Sequence, residues 1–184
     1  MFISYSWLHE FTDTNFSAQE VKERLTMVGL AIDAVESHGQ DFVLDVEVPS
    51  NRPDCLSHVG VARELTAIEQ KKLHLPEGKP AKTEGRSASL TSVEIKDPDL
   101  CQRYAARLVR GVKIGPSPDW LAKRLETIGQ RPINNVADIT NYVLHELGQP
   151  LHAFDFAKLG GHRIVVRRAA PGEKLTTLDG VERT

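Results

Sequence analysis

Residues Arg131–Phe156 read RPINNVADITNYVLHELGQPLHAFDF, and the placement of this stretch decides how the chain folds. Val136, Ile139, Val143 and Leu147 recur at helical spacing, which predicts an amphipathic helix with those side chains turned inward. Asn135 is the expected cap and Gly148 the stop. Asp138, Asn141 and His145 fall on the opposite side at i, i+3 and i+7. Spacing alone favours a solvated face there over a pocket wall. Thr140 and Asn141 fit that reading less well, because both are poor formers of helix interiors and need a partner for their side chains. Beyond a Gln-Pro turn, His152 stands between apolar neighbours, which favours a histidine satisfied within a core.

Upstream, SPDWLAKRLETIG predicts another helix, with Ser117 as cap, Pro118 at the first helical position and Gly129 as stop. Near the start, SAQEVKERLTMVGL predicts a helix opened by a Ser17–Glu20 capping box, with Val21, Leu25 and Val28 on one face. AIDAVESHGQDFVLDVEVP reads as two strands about an SHGQ turn. NRPDCLSHVGVARELTAIEQ reads as a turn feeding a helix with Val61, Leu65 and Ile68 at core spacing. PEGKPAKTEGRSAS has little to bury and reads as a linker. TSVEIK, RYAARLVRGVKI and the tail HRIVVRRAAPGEKLTTLDGVERT look like strands, with Asp179-Gly180 a hairpin signal. The fold class expected is α+β: a small helix and β-hairpin domain over 1–75, a linker over 76–91, and a mixed α/β segment over 92–184. The return strand after Asp179-Gly180 is short, so the sequence reads as part of something longer.

The composition, 40% hydrophobic and 26% charged over 184 residues, supplies a globular core. The formal charge of −2 divides unevenly, −6 over residues 1–84 and +4 over 85–184, so the second part is better placed to meet a polyanion. Cys55 and Cys101 form no C-x-x-C and fit a reduced compartment. No leader peptide or membrane-spanning run is apparent, and a soluble cytoplasmic protein is expected. H-E-x-x-H, G-x-S-x-G, P-loop and dinucleotide motifs are all missing. Arg163, Arg167 and Arg168, with Arg103, Arg107 and Arg110, fit either a strand's solvent side or a phosphate-contacting surface.

Taken together, SYSWLHEF, LTMVGL and NRPDCLSHVGVAREL resemble the first small domain of the bacterial phenylalanyl-tRNA synthetase β subunit family. RYAARLVRGVKIGPSPDWLAKRLETIGQRPINNVADITNYVLHELGQPLHAFDFAKL and VVRRAAPGEKLTTLDGVERT resemble the first half of its editing (B3/B4-type) domain. The likeness covers nearly the whole chain in order, and Arg131–Asp155 is its most specific part. Two departures stand out. The oligonucleotide-binding-fold domain usually inserted where SHGQ stands is missing, and the family's later domains lie beyond Thr184.

The resemblance implies a partial editing pocket at Arg131, Thr140, Asn141, Pro150 and His152, which would help hydrolyse tyrosine wrongly attached to tRNA(Phe). His152 and Asn141 would position the ester and the attacking water. Thr140 and Pro150 would shape the wall, and Arg131 would meet the tRNA end or a pocket anion. It also implies an alpha subunit partner in a heterotetramer, tRNA(Phe) as ligand, and no DNA or membrane partner. ATP and magnesium would serve the whole enzyme, with no cofactor or metal site in this segment. The other readings are a non-catalytic tRNA- or protein-binding module and a free-standing editing hydrolase.

Overall fold

The computed structural model describes residues 1–79 and 85–184 and is mixed helix and strand, the α+β class expected. Residues 80–84 of the expected linker lie outside the described residues. The chain divides into two compact units, one of residues 1–79 with 113–153, the other of 80–112 with 154–184.

In the first unit, β1 (Phe2–Ser4), β2 (Ile32–His38) and β3 (Asp41–Val46) form an antiparallel sheet in the order β1-β3-β2. The β2–β3 hairpin closes with His38 opposite Asp41, leaving Gly39 and Gln40 as the turn. Gly39 sits at φ 62°, a conformation glycine adopts without steric cost. SHGQ is therefore a finished tight turn. Leu44 and Val46 point into the core, while Phe42, two residues earlier on the same strand, stays partly exposed.

Helices α1 (Tyr5–His9), α2 (Ala18–Met27), α3 (His58–Glu69), α4 (Asp119–Thr127) and α5 (Asn135–Leu147) complete this unit. The Ser17–Glu20 capping box of α2 forms as expected, but Val28 lies past the last turn and is exposed. One core holds Ile3, Trp7, Leu8, Val21, Leu25, Leu44, Val61 and Leu65 together with Leu121, Leu125 and Ile128. Those last three are the apolar stripe of α4 and its end. The packing thus departs from a division at residue 92, because the stripe is buried in the same core as the three-stranded sheet.

The expected inward face of α5 fails at two of its four positions, and the other two, Val136 and Val143, are only half-buried. Ile139 and Leu147 are exposed, whereas Asp138 and Glu146 are buried. The inward residues are Asp138, Tyr142 and Glu146, at i, i+4 and i+8. They are held by hydrogen bonds and ring stacking, which offset the cost of burying polar groups. Tyr142 (α5) and His58 (α3) both stack on Trp7 (α1), with ring centroids 4.8 and 3.9 Å away. The Arg124 guanidinium (α4) lies over Trp7 at 5.0 Å. Arg124 also binds the Glu10 carboxylate and the Tyr142 hydroxyl, and that hydroxyl donates to Glu146 at 2.7 Å. Four helices therefore meet at Trp7.

His58 is fully buried with both ring nitrogens bonded. Nε2 accepts from the Ser4 amide at 3.1 Å, so the ring proton sits on Nδ1 and is donated to the His145 carbonyl at 2.8 Å. Two residues along α3, Gly60 passes so close to the 3₁₀ turn over Pro53–Cys55 that a Cβ there would lie 2.0 Å from the Asp54 carbonyl oxygen.

In the second unit, β4 (Ser92–Ile95) and β5 (Arg163–Val166) pair in parallel, and β6 (Leu175–Thr176) pairs with β7 (Glu182–Arg183) as a short antiparallel hairpin. Its turn carries Gly180 at φ 77°, as the Asp-Gly signal predicts. RYAARLVRGVKI forms no strand, contrary to expectation. Val109, Val112 and Ile114 are exposed, and no neighbouring ladder engages this backbone among the described residues.

Two stability outcomes follow. Gly60→Ala forces backbone against backbone and should cost about 3 kcal/mol, read as a lower denaturant midpoint. Burial lowers the His58 pKa to about 3, with Arg124 and His145 adding repulsion, while the hydrogen bond to the His145 carbonyl and the Asp41 charge oppose it. In the unfolded chain His58 takes up its proton near pH 6.5, so below that pH the unfolded state binds more protons than the native one. The stability due to neutral His58 is complete above about pH 6.5 and is lost progressively as pH falls toward 3. The His145 pKa is lowered by partial burial and adds in the same direction. The thermal midpoint should fall between pH 7.5 and 5 and fall less steeply in His58→Gln.

Candidate functional site

The N-terminal end of α5 is built by three neighbouring polar residues. Asn134, not Asn135, is the cap: its Oδ1 accepts from the amides of Val136 and Ala137, both at 3.0 Å. Asn135 is the first helical residue and ties down the segment before α4. Its Oδ1 accepts from the Gly115 amide at 3.2 Å and its Nδ2 donates to the Lys113 carbonyl at 3.0 Å. Ser117 does not cap α4, whose N-cap is Pro118. Its hydroxyl instead donates to Asp138 at 2.5 Å, and the other Asp138 oxygen accepts from the Ile133 amide at 2.9 Å. Asp138, fully buried, joins α4, α5 and the loop between them.

Arg131 is exposed and lines, with Ser117, Glu126, Ile133 and Asp138, a shallow depression of about 360 Å³. Thr140, Asn141, Pro150 and His152 do not line it. Thr140 is half-buried, and its Oγ1 donates to the Ala137 carbonyl of its own helix at 2.7 Å. That bond is the partner a threonine in a helix interior needs. Asn141, also half-buried, makes no side-chain hydrogen bond among the described residues. Gly148 ends the helix at φ 75°, and Pro150 follows, exposed, with its carbonyl accepting from the Gln149 side chain at 3.2 Å. His152 is exposed, which corrects the reading of a core histidine.

The site residues thus follow the course of α5: Arg131 before it, Thr140 and Asn141 at its middle, Pro150 and His152 beyond it. None of them is a serine or cysteine, and the one hydroxyl, on Thr140, is bonded back to its own helix. A neutral amide, a hydroxyl and an imidazole can hold water and polarise an ester.

Sequence reasoning missed His58 and misjudged Asp138. The signal that favoured a core place for His152, a histidine near apolar residues, was also present in Leu56-Ser57-His58-Val59, where the histidine is the buried one. Asp138 carried only the mild signal of an acid in a helix's first turn.

In the second unit, Arg167 pairs with Glu173 at 2.6 Å, and Arg168 pairs with Asp97 and Asp99. Those two arginines are neutralised. Arg103, Arg107, Arg110 and Arg163 are exposed and join no ion pair among the described residues. One grouping resembles a metal site: Asp54, Cys55 and Glu64 in the first unit. The Arg52 guanidinium already contacts Asp54 at 2.9 Å, Cys55 Sγ at 3.1 Å and Glu64 at 2.7 Å. A cation is built in there, and a thiol suits magnesium poorly. The residues do not fit that ion.

Asp138→Ala would strand the Ile133 amide and the Ser117 hydroxyl, so it should destabilise by about 3 kcal/mol, against about 1 kcal/mol for Ser117→Ala. Urea unfolding of the two variants measures both.

Residues 100–184 match the B3/4 domain family. The chain is 59% identical over 152 residues, 82% of its length, to the phenylalanine–tRNA ligase beta subunit of Moorella thermoacetica. It is 54% identical over 158 residues (86%) to that of Anaeromyxobacter dehalogenans, and 44% identical over 179 residues (97%) to that of Rhodopirellula baltica. It spans 19%, 19% and 26% of those proteins' lengths. No helix among the described residues is long and apolar enough to cross a membrane. Over the stretch it spans, the chain belongs to the phenylalanine–tRNA ligase beta subunit family.

Proposed function

We propose that the chain acts as the N-terminal part of a phenylalanine–tRNA ligase beta subunit, supporting ATP-dependent charging of tRNA(Phe) by the alpha subunit. In the same assembly it supplies part of a site that hydrolyses tyrosyl-tRNA(Phe). The observation that carries this reading is identity of 44–59% to beta subunits over most of the chain. Editing is also physically required. A pocket that accepts phenylalanine through apolar contact poorly rejects the same ring carrying a hydroxyl, so a second site must recognise that hydroxyl.

Within that site Asn141 and His152 hold the ester and the attacking water, Thr140 and Pro150 form wall, and Arg131 meets the tRNA end. The amide of Asn141, unbonded among the described residues, and the exposure of His152 suit these roles. Thr140, bonded back to its helix, offers its methyl group and one remaining lone pair. ATP and magnesium act on the synthetic side of the whole enzyme, and no step here is routed through them. The assembly is a cytoplasmic heterotetramer of alpha and beta chains.

The exposed arginines Arg103, Arg107, Arg110 and Arg163 favour a second contribution, non-catalytic contact with tRNA phosphates. In the complete ligase, His152→Ala and Asn141→Ala should each slow hydrolysis of tyrosyl-tRNA(Phe) by about 100-fold, with phenylalanine charging as the control for folding. Wild-type editing by both variants, together with tRNA affinity that still falls with salt, would replace the editing role with the binding one.

A further inference from the structure

The last carbonyls of a helix have no partner within it. In α5 the Leu144 carbonyl is taken by the Gly148 amide at 2.8 Å. The next one, His145, is taken by a side chain from another helix, the Nδ1–H of His58 at 2.8 Å. The far nitrogen of that ring is fixed by the Ser4 amide where β1 runs into α1. The ring therefore ties the end of α5 to the edge of the three-stranded sheet, with no freedom to choose its tautomer. Contact continues beside it: a Cβ on Gly148 would lie 3.5 Å from the Leu56 carbonyl and from Ser57, the cap of α3.

A second hold lies one turn earlier. Tyr142, the neighbour of Asn141, stacks on Trp7, the residue on which His58 also stacks. Asn141 thus sits directly beside the Tyr142 hold and about one turn before the His58 contact, and the exposed segment carrying Pro150 and His152 leaves the helix just past that contact. We propose that His58 is a positioning residue for the editing reaction, setting the placement of Asn141 and of the segment that carries His152 through its hydrogen bond to the α5 terminus. This inference rests on the reading of Asn141 and His152 as editing residues. His58 itself touches no substrate. Its effect is on geometry, where a displacement of about 1 Å costs on the order of 100-fold in rate.

Two substitutions separate the hydrogen bonds from the packing. His58→Phe keeps a ring on Trp7 and removes both bonds. His58→Gln gives up the ring but offers one donor and one acceptor at a similar spacing. In the complete ligase, His58→Phe should lower the kcat for tyrosyl-tRNA(Phe) hydrolysis by about 30-fold, leave its KM within about threefold, and leave phenylalanine charging intact. His58→Gln should restore kcat to within about threefold of wild type. Editing by His58→Phe at the wild-type rate, while Asn141→Ala and His152→Ala are inactive, would overturn the positioning role and leave the site assignment standing. If His58→Phe does not fold, His58→Gln decides alone: a loss of more than about tenfold in its kcat contradicts the role. Normal editing by Asn141→Ala and His152→Ala would remove the site assignment and this inference with it.

Discussion

A neutral imidazole buried between two backbone groups governs the architecture of the first unit. His58 must accept from Ser4 and donate to His145, and only the uncharged ring with its proton on Nδ1 does both. Through it α3, the β1–α1 junction and the end of α5 are mutually fixed. Trp7 gathers the same helices through its ring, with His58, Tyr142 and Arg124 all against it. Apolar burial supplies the driving force for this core, but it has no direction. The ring stack and the two hydrogen bonds select one rotation of α5 about its axis.

That selection explains which parts of the fold were legible in the sequence. The capping box at Ser17 and Glu20, the tight turn at Gly39, and the strands of the first hairpin are local features whose causes lie within a few residues. They form as the sequence predicts. The phase of α5 is not local. Hydrophobic periodicity placed Ile139 and Leu147 inward, yet Asp138 and Tyr142 face the core because their partners, Ser117 for the first and Trp7 and Arg124 for the second, come from elsewhere in the chain, and Glu146 accepts from Tyr142 beside them. The same limit applies to histidines. Apolar residues stand near both His58 and His152, and the sequence could not say which had a carbonyl and an amide waiting for it.

The candidate site was legible only through family resemblance, since its polar residues have no spacing that announces catalysis. The structure adds distinctions among them. Thr140 is occupied by its own helix, Asn141 makes no side-chain hydrogen bond among the described residues, and His152 is exposed beyond the helix end. Asp138, from the same polar stripe, is structural. The arginines divide similarly: Arg167 and Arg168 serve acidic neighbours, while Arg103, Arg107, Arg110 and Arg163 are exposed and join no ion pair among the described residues.

The editing reading can be met most directly by hydrogen–deuterium exchange on the complete ligase with a non-hydrolysable analogue of the tyrosylated tRNA 3′ end. Binding should slow exchange in the segment from Arg131 to Phe156, most strongly around Asn141 and His152, and the phenylalanine analogue should protect it less. Protection elsewhere in the beta subunit with unchanged exchange across this segment would contradict the account.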